Sequence, residues 1–301
     1  MTKNTLRIEL TCNGRVLSMG PGEDMDITKV SGLESSELEV STSDNALVDG
    51  VTVDGKKIRK RTIHIEAKFR NSRNNREKRM SVIQFFNPKY TGKALITNMG
   101  IPRNIEYELE GWNFAEQKNL DQRIGIIVDL MCPDPFMKNI DNFGRNMADI
   151  TKHIAFPWRV VKKKASVPDP YKGLALTGQI TGYKTLKREV QLLNDGDVPT
   201  GVQIKFIAER GPVKNPKITK VSTGQFVRVK VEMKQGDVLM VDTDQRHQVI
   251  ELNGVNVYQK IDRLSESFEL EVGSNYLLYD ADENYTNLDV KLYYTPKYLG
   301  V

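Results

Sequence analysis

Leu6-Arg7-Ile8-Glu9-Leu10-Thr11-Cys12-Asn13-Gly14-Arg15-Val16-Leu17 commits the start of the chain to β structure. Leu6, Ile8 and Leu10 alternate with polar residues, Asn13-Gly14 supplies the two positive-φ positions of a tight turn, and Val16 and Leu17 resume the apolar pattern. That combination predicts a hairpin. Met25 to Val30 and Leu38 to Ser41 are further short β-like runs, and Ile63, Ile65, Ala67 and Phe69 alternate with His64, Glu66 and Lys68. Thr42 to Lys60, rich in Asp, Gly and Lys, reads as a long loop.

One segment departs from the period of two. From about Ser72 to Phe86 the chain is rich in Arg, Glu, Lys, Met and Gln, and Met80, Val82, Ile83 and Phe86 fall at helical spacings before Asn87-Pro88. This predicts a single helix packed on a sheet, with Ser72 or Asn71 as its N-cap. Lys93 to Asn98 and Ile105 to Trp112 read as two strands around Gly100-Ile101-Pro102, an arm-like hairpin, and Arg123 to Met131 as another strand closed by Pro133-Asp134-Pro135. Beyond this point turn signals recur about every ten residues, at Gly182, Asn194 to Asp197, Gly211-Pro212, Gly224, Gly236-Asp237, Asn253-Gly254 and Gly273. The strands expected between them are Val202 to Ala208, Phe226 to Met233, Val238 to Val241, Tyr276 to Tyr279 and Leu288 to Tyr294, the spacing of an all-β sandwich or barrel. Lys162-Lys163-Lys164 with Pro168 and Pro170 is either an interdomain linker or a loop within the second domain.

Length and composition narrow the function classes. At 301 residues the chain suffices for two domains with proper cores. Lys and Arg number 44 against 39 Asp and Glu, so the net charge of +5 is far from that of a dedicated nucleic-acid binder. A mean hydropathy of -0.46, without a long apolar run, predicts no membrane span. Met1 to Gly14 lacks the apolar region of a signal peptide, so no secretion is expected. Cys12 and Cys132 lie far apart and read as buried thiols in a reducing compartment. His64, His153 and His247 share no spacing that suggests a metal site or a nucleophile pair.

Several motifs fail on inspection. Gly50 to Lys57 is one residue short of a phosphate-binding loop, with Lys57 where a Ser or Thr should bind magnesium. Asp280, Asp282 and Asn284 start a calcium-loop pattern, but Tyr285 replaces the required Gly and Lys291 the terminal Glu. Asn284-Tyr285-Thr286 is a glycosylation acceptor only in a secreted chain. The basic clusters Lys56 to Arg61 and Lys68 to Arg79 lack exposed stacking aromatics, since Phe69, Phe85 and Phe86 sit at apolar-face positions. These clusters read as a solvated or subunit-facing charged surface. No paired carboxylates, serine elbow or cysteine–histidine pair stands out, so neither enzymatic activity nor a cofactor is expected.

The second half becomes specific in combination. Asn194-Asp195-Gly196-Asp197-Val198-Pro199-Thr200-Gly201, Ile218, Thr223-Gly224-Gln225-Phe226, Gly236 to Thr243, Leu264 to Phe268, Gly273-Ser274-Asn275 and Tyr298 to Val301, in that order, resemble the siphophage distal tail protein family. Gly32 to Ser35, Asp49-Gly50, Arg61 to Ile65, Phe86-Asn87-Pro88-Lys89 and Pro133 to Phe136 extend the resemblance to nearly the whole chain.

The resemblance implies a mainly β chain. Residues 1–140 would be an N-terminal, β-sandwich-like belt domain with one helix and a long hairpin, and residues 141–301 a C-terminal galectin-like β-sandwich. It further implies a structural virion component, forming a hexameric ring at the distal end of a long non-contractile phage tail or tail-derived bacteriocin. The partners implied are the tail tube protein and a baseplate or fibre protein, with DNA only in transit, no membrane insertion, and assembly in the host cytoplasm. Element type makes Arg73, Arg76 and Arg79 on the helix and Ile96, Asn98, Ile101, Arg103 and Ile105 on the hairpin candidate subunit-interface residues. The alternative is a carbohydrate-binding module of the tail tip that aids adhesion to the host cell wall. Trp112 and Trp158, however, are poorly placed for sugar stacking.

Overall fold

The computed structural model describes residues 6–34, 36–44, 49–116, 122–140, 143–146 and 188–301. In the first half the strands are β1 (Arg7–Cys12), β2 (Arg15–Met19), β3 (Met25–Ser31), β4 (Leu38–Asp44), β5 (Val51–Ile58) and β6 (Arg61–Phe69). Helix α1 (Asn75–Phe85) is followed by β7 (Gly92–Asn98), β8 (Ile101–Phe114), β9 (Gly125–Cys132) and β10 (Met137–Lys138). Then come β11 (Phe143–Asn146), β12 (Glu189–Asn194), β13 (Gln203–Ala208), β14 (Val213–Lys220), β15 (Phe226–Arg228) and β16 (Glu232–Met233). The remaining strands are β17 (Val238–Asp242), β18 (Ile250–Leu252), β19 (Val255–Asn256), β20 (Gly273–Glu283), β21 (Leu288–Tyr294) and β22 (Lys297–Tyr298).

The first hairpin forms as the sequence predicts. Asn13 (φ 47) and Gly14 (φ 73) both take the left-handed conformation, which a primed turn requires and which these two residues adopt at little cost. Ile8, Leu10 and Cys12 then face inward, in register with Met19, Leu17 and Arg15 across the turn. Around this nucleus the strands follow the order β2-β1-β7-β8-β9-β6-β3, all antiparallel. Strand β8 links two long neighbours: its first half pairs with β7 and its second with β9, with a register shift between Leu109 and Gly111. A bulge of this kind bends a strand, so the sheet folds back on itself. Ile8, Leu10, Ala94, Ile96 and Ile105 from one side and Ile63, Ile65, Ile126, Val128 and Leu130 from the other belong to one apolar cluster.

Helix α1 lies against this core through Val82, Phe85 and the following Phe86. Phe86 stacks on Trp112 with ring centroids 5.3 Å apart, and Trp112 meets Phe114 edge-on at 5.2 Å. Two expectations for the helix are corrected. It starts at Asn75 behind a left-handed Asn74, because the Asn71 side chain is engaged in a local turn, accepting the Arg73 amide at 3.1 Å. Met80 and Ile83, read as packing-face residues, lie on the outer side at 52% and 45% exposure.

In the second half two sheets enclose a separate core. One follows β11-β21-β13-β17-β18-β19, the other β12-β20-β14-β15 with β16 also on β14. The period-two burial of β13 and β21 turns Ile204, Phe206, Val290 and Leu292 inward, where they join Ile218, Leu277 and Tyr279 in the same apolar cluster. This is a β-sandwich. Asn253-Gly254, Gly236 and Gly273 mark turns with positive φ as expected, and β21 matches the predicted Leu288 to Tyr294. Phe226 to Met233 is instead two short strands separated by a bend, and β12, β14 and β18 add to those expected. The predicted linker residues, Gly182, His153 and Trp158 lie outside the described residues.

Candidate subunit interface

Three features bear on assembly, two of them exposed surfaces and the third a junction within the chain. The first is a two-stranded ribbon, β4 with β5, which forms a sheet of its own. This corrects the long loop expected from Thr42 to Lys60. Leu38, Val40, Thr42 and Asp44 share one face of β4, opposite Ile58, Lys56, Val53 and Val51. Asp54 is the extra residue of a bulge between Ser41 and Thr42, and it shifts the register by one. Because side chains alternate faces along a strand, that one residue puts Val51 and Val53 on the same face as Leu38 and Val40. The opposite face carries Glu39, Ser41, Ser43 and Lys57, with Ser43 donating to Asp54 at 3.0 Å. The ribbon is therefore amphipathic, yet Leu38, Val40, Val51 and Val53 remain 43–63% exposed. Asp44 and Asp49 flank the end of the ribbon where the chain reverses and Asp54 stands at the bulge, and among the described residues none of the three has an ion-pair partner.

The second feature is the outer side of α1, where exposed Met80 and Ile83 run toward Tyr90, itself 44% exposed. A shallow groove beside them is lined by Arg15, Ile83, Gln84, Pro88 and Tyr90, and Arg15 donates to Gln84 across it at 3.1 Å. Arg73 and Arg76 are exposed at the helix start without an ion-pair partner among the described residues.

The third feature joins the halves. Strand β22 pairs with β10, and β10 with β8, so the end of the chain completes the first half's sheet. Arg61, 1% exposed, donates to the carbonyls of Pro135 (2.8 Å), Gly32 (2.8 Å), Leu33 (2.9 Å) and Leu299. Arg103 lies over the Tyr298 ring at 3.6 Å, and Asn98 donates to the Val301 carbonyl at 3.4 Å. Gly300 is held so closely that a Cβ there would sit 2.9 Å from the Leu33 carbonyl oxygen. Arg246 and Asp134 add an ion pair at 2.9 Å.

The eight residues chosen from the sequence therefore divide. Ile96 and Ile105, each 1% exposed, lie in the chain's own core and cannot be presented to a neighbour, because β7 and β8 occupy the middle of the sheet. The arm-like hairpin expected from Lys93 to Trp112 is thus paired on both sides for most of its length, and of its large apolar side chains only Met99 and Ile101, at the tip, are exposed. Asn98 and Arg103 hold the chain's C-terminal residues, and Arg79 packs over Phe114 at 4.1 Å. Arg73, Arg76 and Ile101 are free to meet a neighbour. Sequence reasoning missed the ribbon and Arg61. The alternation in Leu38-Glu39-Val40 and Val51-Thr52-Val53 was the available signal for the ribbon.

The other motifs are accounted for. Gly50 to Lys57 enters the extended strand β5, which has no helix N-terminus to offer a phosphate. Asp280 and Asp282 lie in β20, paired with Arg188 and Arg228. Cys12 and Cys132 are buried free thiols, and burial pushes Cys132 up to about 12. Among the described residues no group of three or more His, Cys, Asp or Glu is arranged to hold a metal, and no helix is long and apolar enough to cross a membrane. Trp112 is half-buried, with Phe86 stacked on it and Phe114 meeting it edge-on.

One electrostatic cluster lies on the outer face of β6 and β9. His64 Nδ1 is 2.6 Å from Asp129, and Nε2 is 3.3 Å from Glu66, which also faces Lys29 at 3.4 Å. The Asp129 hydrogen bond, with Glu66 beside it, raises the imidazole above its ordinary 6.5. A raised value means that the folded state holds the proton more tightly, so the stabilisation is complete below pH 6.5 and fades as pH rises through the shifted value. His64→Gln is expected to lower Tm below pH 6.5 and to match the parent at alkaline pH, as thermal melts on both sides will show.

Residues 195–298 match the family described as siphovirus-type tail component, C-terminal domain. These residues are similar to a siphovirus-type tail-component domain. The structure as a whole superposes on the crystal structure of the SPP1 Dit protein, described as a paradigm of the hub adsorption apparatus in phages infecting Gram-positive bacteria. The TM-score is 0.68 at 11% identity, over 97% of this chain and 99% of that one. A component of the phage P2 baseplate, in its activated conformation with Ca, aligns with a TM-score of 0.50 at 10% identity, over 99% of both chains. No curated protein matches. The tail-component match agrees with the resemblance seen in the sequence, and at these identities the structural likenesses establish a shared fold.

Proposed function

We propose that the chain is a structural subunit of a siphophage tail tip, forming a hexameric ring at the distal end of a long non-contractile tail. In this reading the ring joins the tail tube to baseplate or fibre proteins, and DNA passes through its channel. The belt, residues 1–140, builds the ring, and the galectin-like sandwich, residues 141–301, stands at its periphery. The observation that carries the reading is the β4–β5 ribbon. A two-stranded hairpin has little stability alone in water, and a row of exposed Leu and Val side chains on it asks for a covering surface. Covering each exposed half contributes on the order of 1 kcal/mol. The tail-component match and the fold shared with a hub protein support the setting. Light scattering of the purified chain is expected to give about six times 34.2 kDa, near 205 kDa. A mass of one chain at every concentration would overturn the ring.

A further inference from the structure

The ribbon needs a specific seat, and the same chain offers one elsewhere. We infer that the ribbon of one copy lies along the outer side of α1 in the next copy, with Val51 and Val53 against Met80 and Ile83 and with Asp44 and Asp49 against Arg73 and Arg76. The inference rests on the ring reading and names the contact that makes the ring.

Both surfaces are apolar and uncovered in a single chain, with Val53 at 50% and Met80 at 52% exposure. They differ from each other, so their pairing is head-to-tail, the kind of contact that closes a ring when the rotation allows. Their charges are complementary: Asp44 and Asp49 lie at the end of the ribbon where the chain reverses, while Arg73 stands just before α1 and Arg76 in its first turn, all without ion-pair partners among the described residues. The spacing agrees too. Ile83 lies seven residues after Arg76, ~10 Å along a helix, and Asp49 lies two to four residues from Val51 and Val53, ~7 to 13 Å along a strand. A docked ribbon can therefore meet the apolar and the charged parts of the helix together.

The test pairs cross-linking with charge reversal. Val53→Cys and Ile83→Cys, combined in one chain or mixed as two single variants, are treated with a short bis-maleimide. The native Cys12 and Cys132 are buried and stay out of the reaction. The expected result is a ladder at multiples of 34.2 kDa for the double variant, a dimer band for the mixture, and neither for a single variant alone. Arg73→Glu with Arg76→Glu is expected to weaken assembly at least tenfold, and Asp44→Lys with Asp49→Lys to restore it. If the parent assembles but the ladder is absent and the reversals have no effect, the contact is wrong while the ring stands. A parent that never assembles removes both.

Discussion

Replacing Arg61 by methionine is expected to destabilise the first half of the protein by about 3–5 kcal/mol, although no carboxylate is lost. The guanidinium, 1% exposed, gives its hydrogens to main-chain carbonyls of Gly32, Leu33, Pro135 and Leu299. Methionine fills a similar volume and donates nothing, so these carbonyls are left without a donor in a site closed to solvent. A buried acceptor without a partner costs about 1–3 kcal/mol, and water entering the gap recovers part of that. Arg61→Lys should fall between the two, because a single ammonium cannot reach the fan of acceptors that a planar guanidinium serves. Urea unfolding measures the loss. Limited carboxypeptidase digestion separates this cause from a general softening, since Leu299 to Val301 should become accessible first. A midpoint shift worth less than about 1 kcal/mol would mean that the carbonyls find other partners.

The second large effect falls on assembly and leaves the fold alone. Excising residues 39–57 and joining Leu38 to Ile58 through Asn-Gly should give protein that melts near the parent temperature but runs as a single chain of 34.2 kDa. Leu38 and Ile58 are paired neighbours, so a two-residue primed turn fits the gap. Neither apolar core draws a residue from between Leu33 and Ile63, which is why melting should be spared. Native mass and a thermal melt on the same sample decide it. An assembled product would show that the ribbon is not what holds copies together.

Much of the fold was legible because its signals are local. Asn13-Gly14 between alternating runs fixed a hairpin, turns every ten residues announced the sandwich, and Phe85 and Phe86 marked the inner side of the helix. The ribbon was hidden for a physical reason. Its apolar side is made continuous by a bulge at Asp54, so the period of two in Val51-Thr52-Val53 breaks off after three residues, and Asp54-Gly55 imitates a turn. Arg61 was illegible for the opposite reason. Its partners are peptide carbonyls up to 238 positions away, and a carbonyl carries no residue identity. The hairpin of β7 and β8 was correctly found but wrongly placed, since alternation shows that a strand has one inner face and not whether the strand is central or free.

The pairing of β22 with β10 also bears on synthesis. The first half's sheet lacks its last strand, and Arg61 one of its acceptors, until Lys297 and Tyr298 have left the ribosome. A chain that stops before β22 therefore keeps its ribbon and helix but holds them on an unfinished platform. Because β22 is translated long after its partner β10, the first half's sheet stays open while the sandwich is being made and closes only once that second unit has emerged.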